Sequence, residues 1–295
     1  MKEIKMKGFN NLEIFTRVFD NVKNPKGVVQ IIHGMREHSG RYVRFAEMLE
    51  KNGYIVFAPD QRGHGRTAKS LDLLGHGEND IYLECVEDHK LISEEIKKQY
   101  PNLPLYIFAH SFGSMVAQKY IQDCHLANKV ILCGTNNGNN ATFKLGLLVS
   151  RVQAAFVGGK KPANFIEKTN KKLYASKFER GNWLTRNEEI FDKYLEDPYC
   201  NAIFPISFYK SLFGNMTKVN KSISRIDKDL EIFLIAGDND PVGDYSNNVL
   251  SLTDLYKEKG VNAKAKIYKD ARHELINETN YKEVDEDILE FLNEK

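Results

Sequence analysis

The stretch YIFAHSFGSM, Tyr106–Met115, decides the architecture. Tyr106–His110 read as a buried strand. After Ser111 the apolar spacing becomes helical, with Val116, Tyr120 and Cys124 at intervals of four. Ser111 sits on the seam. So short a strand-to-helix turn lifts a serine Oγ clear of the sheet edge. The turn also brings neighbouring main chain close, so small residues are needed two positions before and after the serine. Gly113 supplies one, and Ala109 supplies the other with one methyl more than the glycine of G-x-S-x-G. The bland alternative is a serine that only caps the following helix.

Outward from this seam the pattern repeats. GVVQIIHG (27–34), YIVFAPD (54–60) and KVILCGT (129–135) read as short, continuously apolar strands. GRYVRFAEMLEKNG (40–53) and NDIYLECVEDHKLISEEIKKQY (79–100) read as amphipathic helices. This alternation predicts an α/β fold, a mostly parallel sheet with helices on both faces. The more polar NLEIFTRVFD (11–20) predicts antiparallel strands at an edge. Alternation stops near Thr135, at the loop signal NNGNN (136–140). Helical patterns rich in Phe, Tyr and Trp follow, with no convincing strand before Lys221. Strand patterns resume at LEIFLIAGD (230–238) and AKAKIYKD (263–270), and a helix carrying Val284, Ile288, Phe291 and Leu292 ends the chain. The expected organisation is a core of residues 1–136 and 222–295, interrupted by a helical cap of residues 137–221.

Composition narrows the function classes. The 295 residues are 42% hydrophobic and 28% charged, with a formal net charge of +2. That gives no electrostatic case for a nucleic-acid partner. The amino terminus has no apolar signal core, and the longest apolar stretch, Leu145–Gly159, is broken by Arg151. The cysteines Cys85, Cys124, Cys133 and Cys200 form no CxxC pair and read as reduced. A cytoplasmic protein is the expectation. His33, His38, His64 and His76 lack metal-ligand spacing, so neither metal nor cofactor is expected.

A serine hydroxyl is a weak nucleophile without a base, and the base must be oriented by an acid. On this fold the chain order is serine, acid, histidine. His273, in KDARHELINE, follows the last predicted strand and is the base candidate. FLIAGDNDPVGD offers Asp238, Asp240 and Asp244, and Asp240, stiffened by Pro241, is preferred. The oxyanion formed during acyl transfer needs two N–H donors. Phe112, after the serine, and Met35, on the loop after GVVQIIHG, are the candidates.

HGMREHSGRY, DQRGHGRT, AHSFG, AGDNDPVG and RHELINE together resemble the monoacylglycerol lipase and lysophospholipase family of α/β-hydrolases, its bacterial members above all. The motifs span His33 to Glu278, and the cap segment WLTRNEEIFDKYLEDPYC is also similar. The resemblance implies the α/β-hydrolase fold and a Ser111, Asp240 and His273 triad. It also implies Met35 and Phe112 as oxyanion donors and a single-acyl lipid or other ester as substrate. Ala109 departs from the family pattern, as does Arg36, where animal lipases carry glycine. A serine aminopeptidase, a small-ester esterase and a non-catalytic binding protein stay open. FKLGLLVSRVQAAFVGG (143–159) is apolar on more than one helical face. Leu147, Leu148 and Phe156 are therefore candidates to roof an acyl channel, and the cap is a candidate contact to a membrane surface.

Overall fold

Side chains alternate faces along a strand, so a strand buried along its whole length must be covered on both sides. Gly27–Ile32 (β3), Tyr54–Pro59 (β4), Leu105–His110 (β5) and Lys129–Cys133 (β6) are buried at every residue. The computed structural model, which describes residues 1–138 and 140–294, places them at the centre of an eight-stranded sheet. Asn139, in the predicted NNGNN loop, and Lys295, at the end of the predicted second core segment, lie outside the described residues.

With Lys2–Lys7 (β1), Glu13–Phe19 (β2), Glu231–Gly237 (β7) and Asn262–Tyr268 (β8), the strand order is β1-β2-β4-β3-β5-β6-β7-β8. From β4 to β8 neighbours run parallel, and β1 and β2 run antiparallel. This is the expected α/β-hydrolase sheet. The outermost strand on that side is β1, from the charged KEIKMK, and β2 lies inside it.

The alternation sorts the core into two layers. Val29, Ile31, Val56, Phe108, Ile131 and Ile235 face Val43–Lys51 (α1) and Tyr281–Asn293 (α9). Val28, Ile32, Ile107, Ala109, Val130 and Leu234 face Ile81–Gln99 (α2), Phe112–Asp123 (α3) and Asn247–Glu258 (α8). Ala109 is fully buried in this second layer, so its methyl is accommodated without leaving the strand. Between β6 and β7 run Ala141–Val157 (α4), Asn164–Ala175 (α5), Glu188–Glu196 (α6) and Ile206–Val219 (α7). The strand pairing described in that interval is one isolated bridge, Pro162 to Pro205. The segments after β3, β5, β6, β7 and β8 meet these helices at the carboxyl edge, where such sheets hold their sites.

Candidate active site

Ser111 connects β5 to α3 with φ 52° and ψ −120°, a conformation a non-glycine residue adopts only under strain. Main chain crowds it on both sides. A Cβ on Gly113 would lie 2.1 Å from the carbonyl oxygen of Ile32 and 2.3 Å from that of His33. A Cβ on Gly34 would come within 3.1 Å of the Ser111 Cβ. The seam therefore needs glycine at 113, and the loop after β3 lies directly against the serine.

His273 follows β8. Its Nδ1 donates to Asp240 Oδ2 at 2.9 Å, and Asp240 is fully buried. The second Asp240 oxygen accepts the Val242 N–H at 2.9 Å, which fixes the carboxylate. Asp238 is not in that pair: among the described residues its side chain accepts from Asn239 alone. Asp244 is exposed. The other imidazole nitrogen, His273 Nε2, is buried without a hydrogen-bond partner among the described residues. Trp183 packs over the ring, with centroids 5.0 Å apart, and Tyr174 packs on Trp183.

Ser111, His273, Met35 and Phe112 line one cavity of about 790 Å³. Its walls are mostly apolar: Phe143, Val149, Ile166, Leu212 and Phe213 come from the helices between β6 and β7. Leu147, Leu148 and Phe156, expected as channel lining, are not among the lining residues. Leu147 faces Gly214 of α7, and Leu148 and Phe156 point outward, with Phe156 85% exposed. The inner face of α4 is instead Phe143, Gly146 and Val149, where Gly146 lets Phe213 approach. A helix apolar all round does not declare which face turns inward.

Beneath the cavity lies a charged network that the motif reading did not assemble. The Glu37 carboxylate accepts from the Gly34 N–H, from Tyr42 Oη at 2.8 Å, from His110 Nδ1 at 2.9 Å and from Arg41 at 3.0 Å. Arg41 also makes a bidentate pair with Glu274, both bonds 2.7 Å. Burial alone would raise the Glu37 pKa. The hydrogen bond and charge of His110, with Arg41, outweigh it and hold Glu37 well below the usual carboxylate range. Burial likewise pulls His110 down, and Glu37 more than reverses it, so His110 titrates above its ordinary value. The one advance signal for His110 was its place at the strand end, next to Ser111. His33 and His64 shape loops: His33 Nε2 accepts the Gln61 N–H at 2.9 Å, and burial takes His64 down to about 3.

A family profile described as serine aminopeptidase, S33, matches residues 23–280. The chain belongs to this family. Monoglyceride lipase from Homo sapiens is 26% identical over 271 residues, 90% of this chain and 81% of that protein. Monoacylglycerol lipase from Mycolicibacterium smegmatis is 25% identical over 289 residues, 97% of this chain and 94% of that protein. A thermostable carboxyl esterase from Bacillus coagulans, solved with glycerol, superposes with a TM-score of 0.90. It is 27% identical and covers 99% of this chain and 97% of its own. The chain is a monoacylglycerol-lipase-like α/β-hydrolase and a carboxylic ester hydrolase.

Among the described residues one side-chain cluster has metal-type donors: His38, Asp197 and Cys200, within 4.8 Å of one another. His38 Nδ1 accepts the Gly40 N–H at 3.1 Å, so its Nε2 carries the proton and donates to Asp197 at 2.8 Å. That tautomer makes a hydrogen bond rather than a metal bond. Among the described residues no helix is long and apolar enough to cross a membrane.

Proposed function

We propose that the protein hydrolyses carboxylic esters of single-acyl lipids, monoacylglycerols or lysophospholipids, through a covalent acyl-enzyme. Ser111 Oγ attacks the ester carbonyl carbon while His273 Nε2 takes its proton, and Asp240 holds the imidazole and stabilises its cationic form. The carbonyl electron pair moves onto oxygen, where the N–H groups of Met35 and Phe112 receive it. Collapse expels the alcohol with the proton from His273. Water, deprotonated by the same nitrogen, then attacks the acyl-serine and releases the fatty acid. The 137–221 segment is the cap that closes this site, and no cofactor enters the scheme. The reading includes a cytoplasmic enzyme that meets lipid through outward apolar residues of the cap.

The observation that carries the reading is the Asp240–His273 pair, with its second nitrogen free, opening into the same apolar cavity as a serine held at φ 52°. An apolar cavity of this size suits an acyl chain.

The family description favours one other reading, an aminopeptidase, which needs an acid to grip a free α-amine. The carboxylates among the described cavity residues are Glu37, Glu167 and Glu274, and all are already paired, with Arg41 and His110, with Arg36, and with Arg41. This weighs against an amine. Purified protein should hydrolyse acyl-glycerols and p-nitrophenyl esters, label with a fluorophosphonate, and leave aminoacyl-naphthylamides untouched. Ser111→Ala should lose both turnover and label by several orders of magnitude. Turnover retained in Ser111→Ala, or a preference for the naphthylamides, would overturn the proposal.

A further inference from the structure

Met35, read above as an oxyanion donor, lies between two anchors of different kinds. On its amino side the Gly34 N–H is bound by Glu37, which belongs to the network of Tyr42, Arg41 and His110 in the core. On its carboxyl side the anchor is Arg36, and its partners all come from the cap. Arg36 Nη1 donates to Glu167 Oε2 of α5 at 2.9 Å, and Nε donates to the Cys200 carbonyl at 3.2 Å. The other Glu167 oxygen accepts from Tyr209 Oη of α7. Two residues on, His38 donates to Asp197 at 2.8 Å, a second tie to the same cap turn.

The backbone gives a further reason to look at Arg36. Its φ is +58°, the left-handed region that glycine adopts freely and a side chain does not. The turn itself does not call for an arginine. What the arginine adds is a side chain long enough to reach the cap.

We infer that Arg36 is a positioning residue that ties the oxyanion loop to the cap, so that the Met35 N–H is aligned with the reacting carbonyl only while the cap is seated. The inference rests on the proposed acyl-enzyme reading. Its guanidinium is already engaged by Glu167 and Cys200, which leaves alignment rather than substrate charge as its task. Because the loop lies against Ser111, a small displacement at residue 36 changes the donor-to-oxyanion distance, on which oxyanion stabilisation depends steeply.

Arg36→Gly removes the tie and keeps the backbone conformation without strain. Glu167→Ala removes its ion pair from the cap side, keeps only the Nε bond to the Cys200 carbonyl, and leaves the oxyanion loop intact in sequence. The probe is p-nitrophenyl acetate, which has neither a glycerol head group nor a long acyl chain. Each variant should lower kcat about 10- to 100-fold, short of the full loss of an oxyanion donor, with KM within about twofold. The double variant should be no worse than the poorer single one, because both cut one connection. Thermal melting checks that both variants fold. Unchanged kcat on the acetate in both variants would overturn the inference. So would an effect confined to KM for glycerol esters, which would make Arg36 a head-group contact. Ser111→Ala, assayed alongside, keeps the two readings apart. If it stays active the acyl-enzyme scheme fails. If it is dead while Arg36→Gly is normal, only the tie fails.

Discussion

Residues 182–186 and helix α4 both lie between β6 and β7, and they meet the rest of the molecule in opposite ways. The first is sewn to the loop that carries His273. Arg272 donates to the carbonyls of Asn182 and Thr185, at 2.6 and 3.0 Å, and the Glu274 N–H donates to the Leu184 carbonyl at 2.7 Å. Thr185 Oγ1 donates to the Asn277 carbonyl at 2.8 Å, and Arg186 pairs with the fully buried Glu278. Helix α4 instead meets the cavity with Phe143, Gly146 and Val149 and turns Leu148, Val152 and Phe156 to the outside. Directional bonds fix a position, whereas apolar contact fixes only proximity. The strap segment stands over the imidazole in one place, and α4 meets the cavity through apolar side chains.

The largest test asks what orients His273. From below it is Asp240, and from above Trp183 and the strap. Asp240→Asn should cut kcat about 10⁴-fold, because an amide favours the wrong tautomer and cannot stabilise the imidazolium. Asp238→Asn should change kcat less than about threefold, as among the described residues its carboxylate meets Asn239 alone. A mild Asp240→Asn phenotype would shift the orienting role to the strap and remove Asp240 from the triad.

The second test separates the two faces of α4. Each methylene buried in an apolar channel is worth about 0.8 kcal/mol. Phe143→Asn, on the inner face, should lower the octanoyl-to-acetyl ratio of kcat/KM about 10- to 100-fold. Leu148→Asn and Phe156→Asn should leave that ratio within about twofold, since neither residue lines the cavity. The ratio cancels general losses of stability. A flat ratio in Phe143→Asn, or a collapse in Phe156→Asn, would reverse the assignment of faces.

This face is where the sequence was least legible. That Ser111, His273 and Asp240 come to one edge could be read because each follows a strand, and strand ends in a parallel sheet share one edge. The strands themselves were legible because continuous burial leaves continuous apolar runs, as in VVQII and LYIFA. In α4 no polar stripe marks an outside, so Leu147, Leu148 and Phe156 looked as fit for the cavity as Phe143. Glu37, His110, Arg41 and Glu274 were illegible for another reason. Their pairing spans up to 233 positions of chain, 274 − 41, and no local pattern records a partner that distant. The same holds for Trp183, whose contact with His273 exists only once the insertion folds back on the sheet.

A stability experiment compares the strap with the outward face of α4 directly. Thr185→Val keeps shape and removes the hydroxyl that donates to the half-buried Asn277 carbonyl and accepts the Asn187 N–H. It should cost about 1–3 kcal/mol, a fall in Tm of several degrees. Phe156→Ser should stay within about 0.5 kcal/mol, because little packs on it. Equal losses would mean that the outward face is covered in solution.

The smallest expected effect is one of pH, and it concerns the core end of the same scaffold. His110 Nδ1 bonds the Glu37 carboxylate, and its Nε2 reaches the carbonyl oxygen of His273 at 3.3 Å. Both partners are acceptors, so both ring nitrogens must carry protons and the imidazole is cationic. Its folded pKa is raised above the ordinary 6.5. The stability it contributes is therefore fully present below that value and is lost as pH rises through the folded one. For Glu37 the sign reverses: its contribution is present above the ordinary 4.5 and is lost as pH falls through the depressed folded value. The pair is complete between the two limits. Thermal melts of wild type and His110→Gln should accordingly differ most at about pH 6 and converge as pH is raised to about 9. Phe156→Ser, which touches no titratable tie, should shift the curve by the same amount at both values. A His110→Gln difference that grows with alkalinity would mean that the folded protein holds His110 neutral, and the charge balance beside Ser111 would have to be redrawn around Arg41 alone.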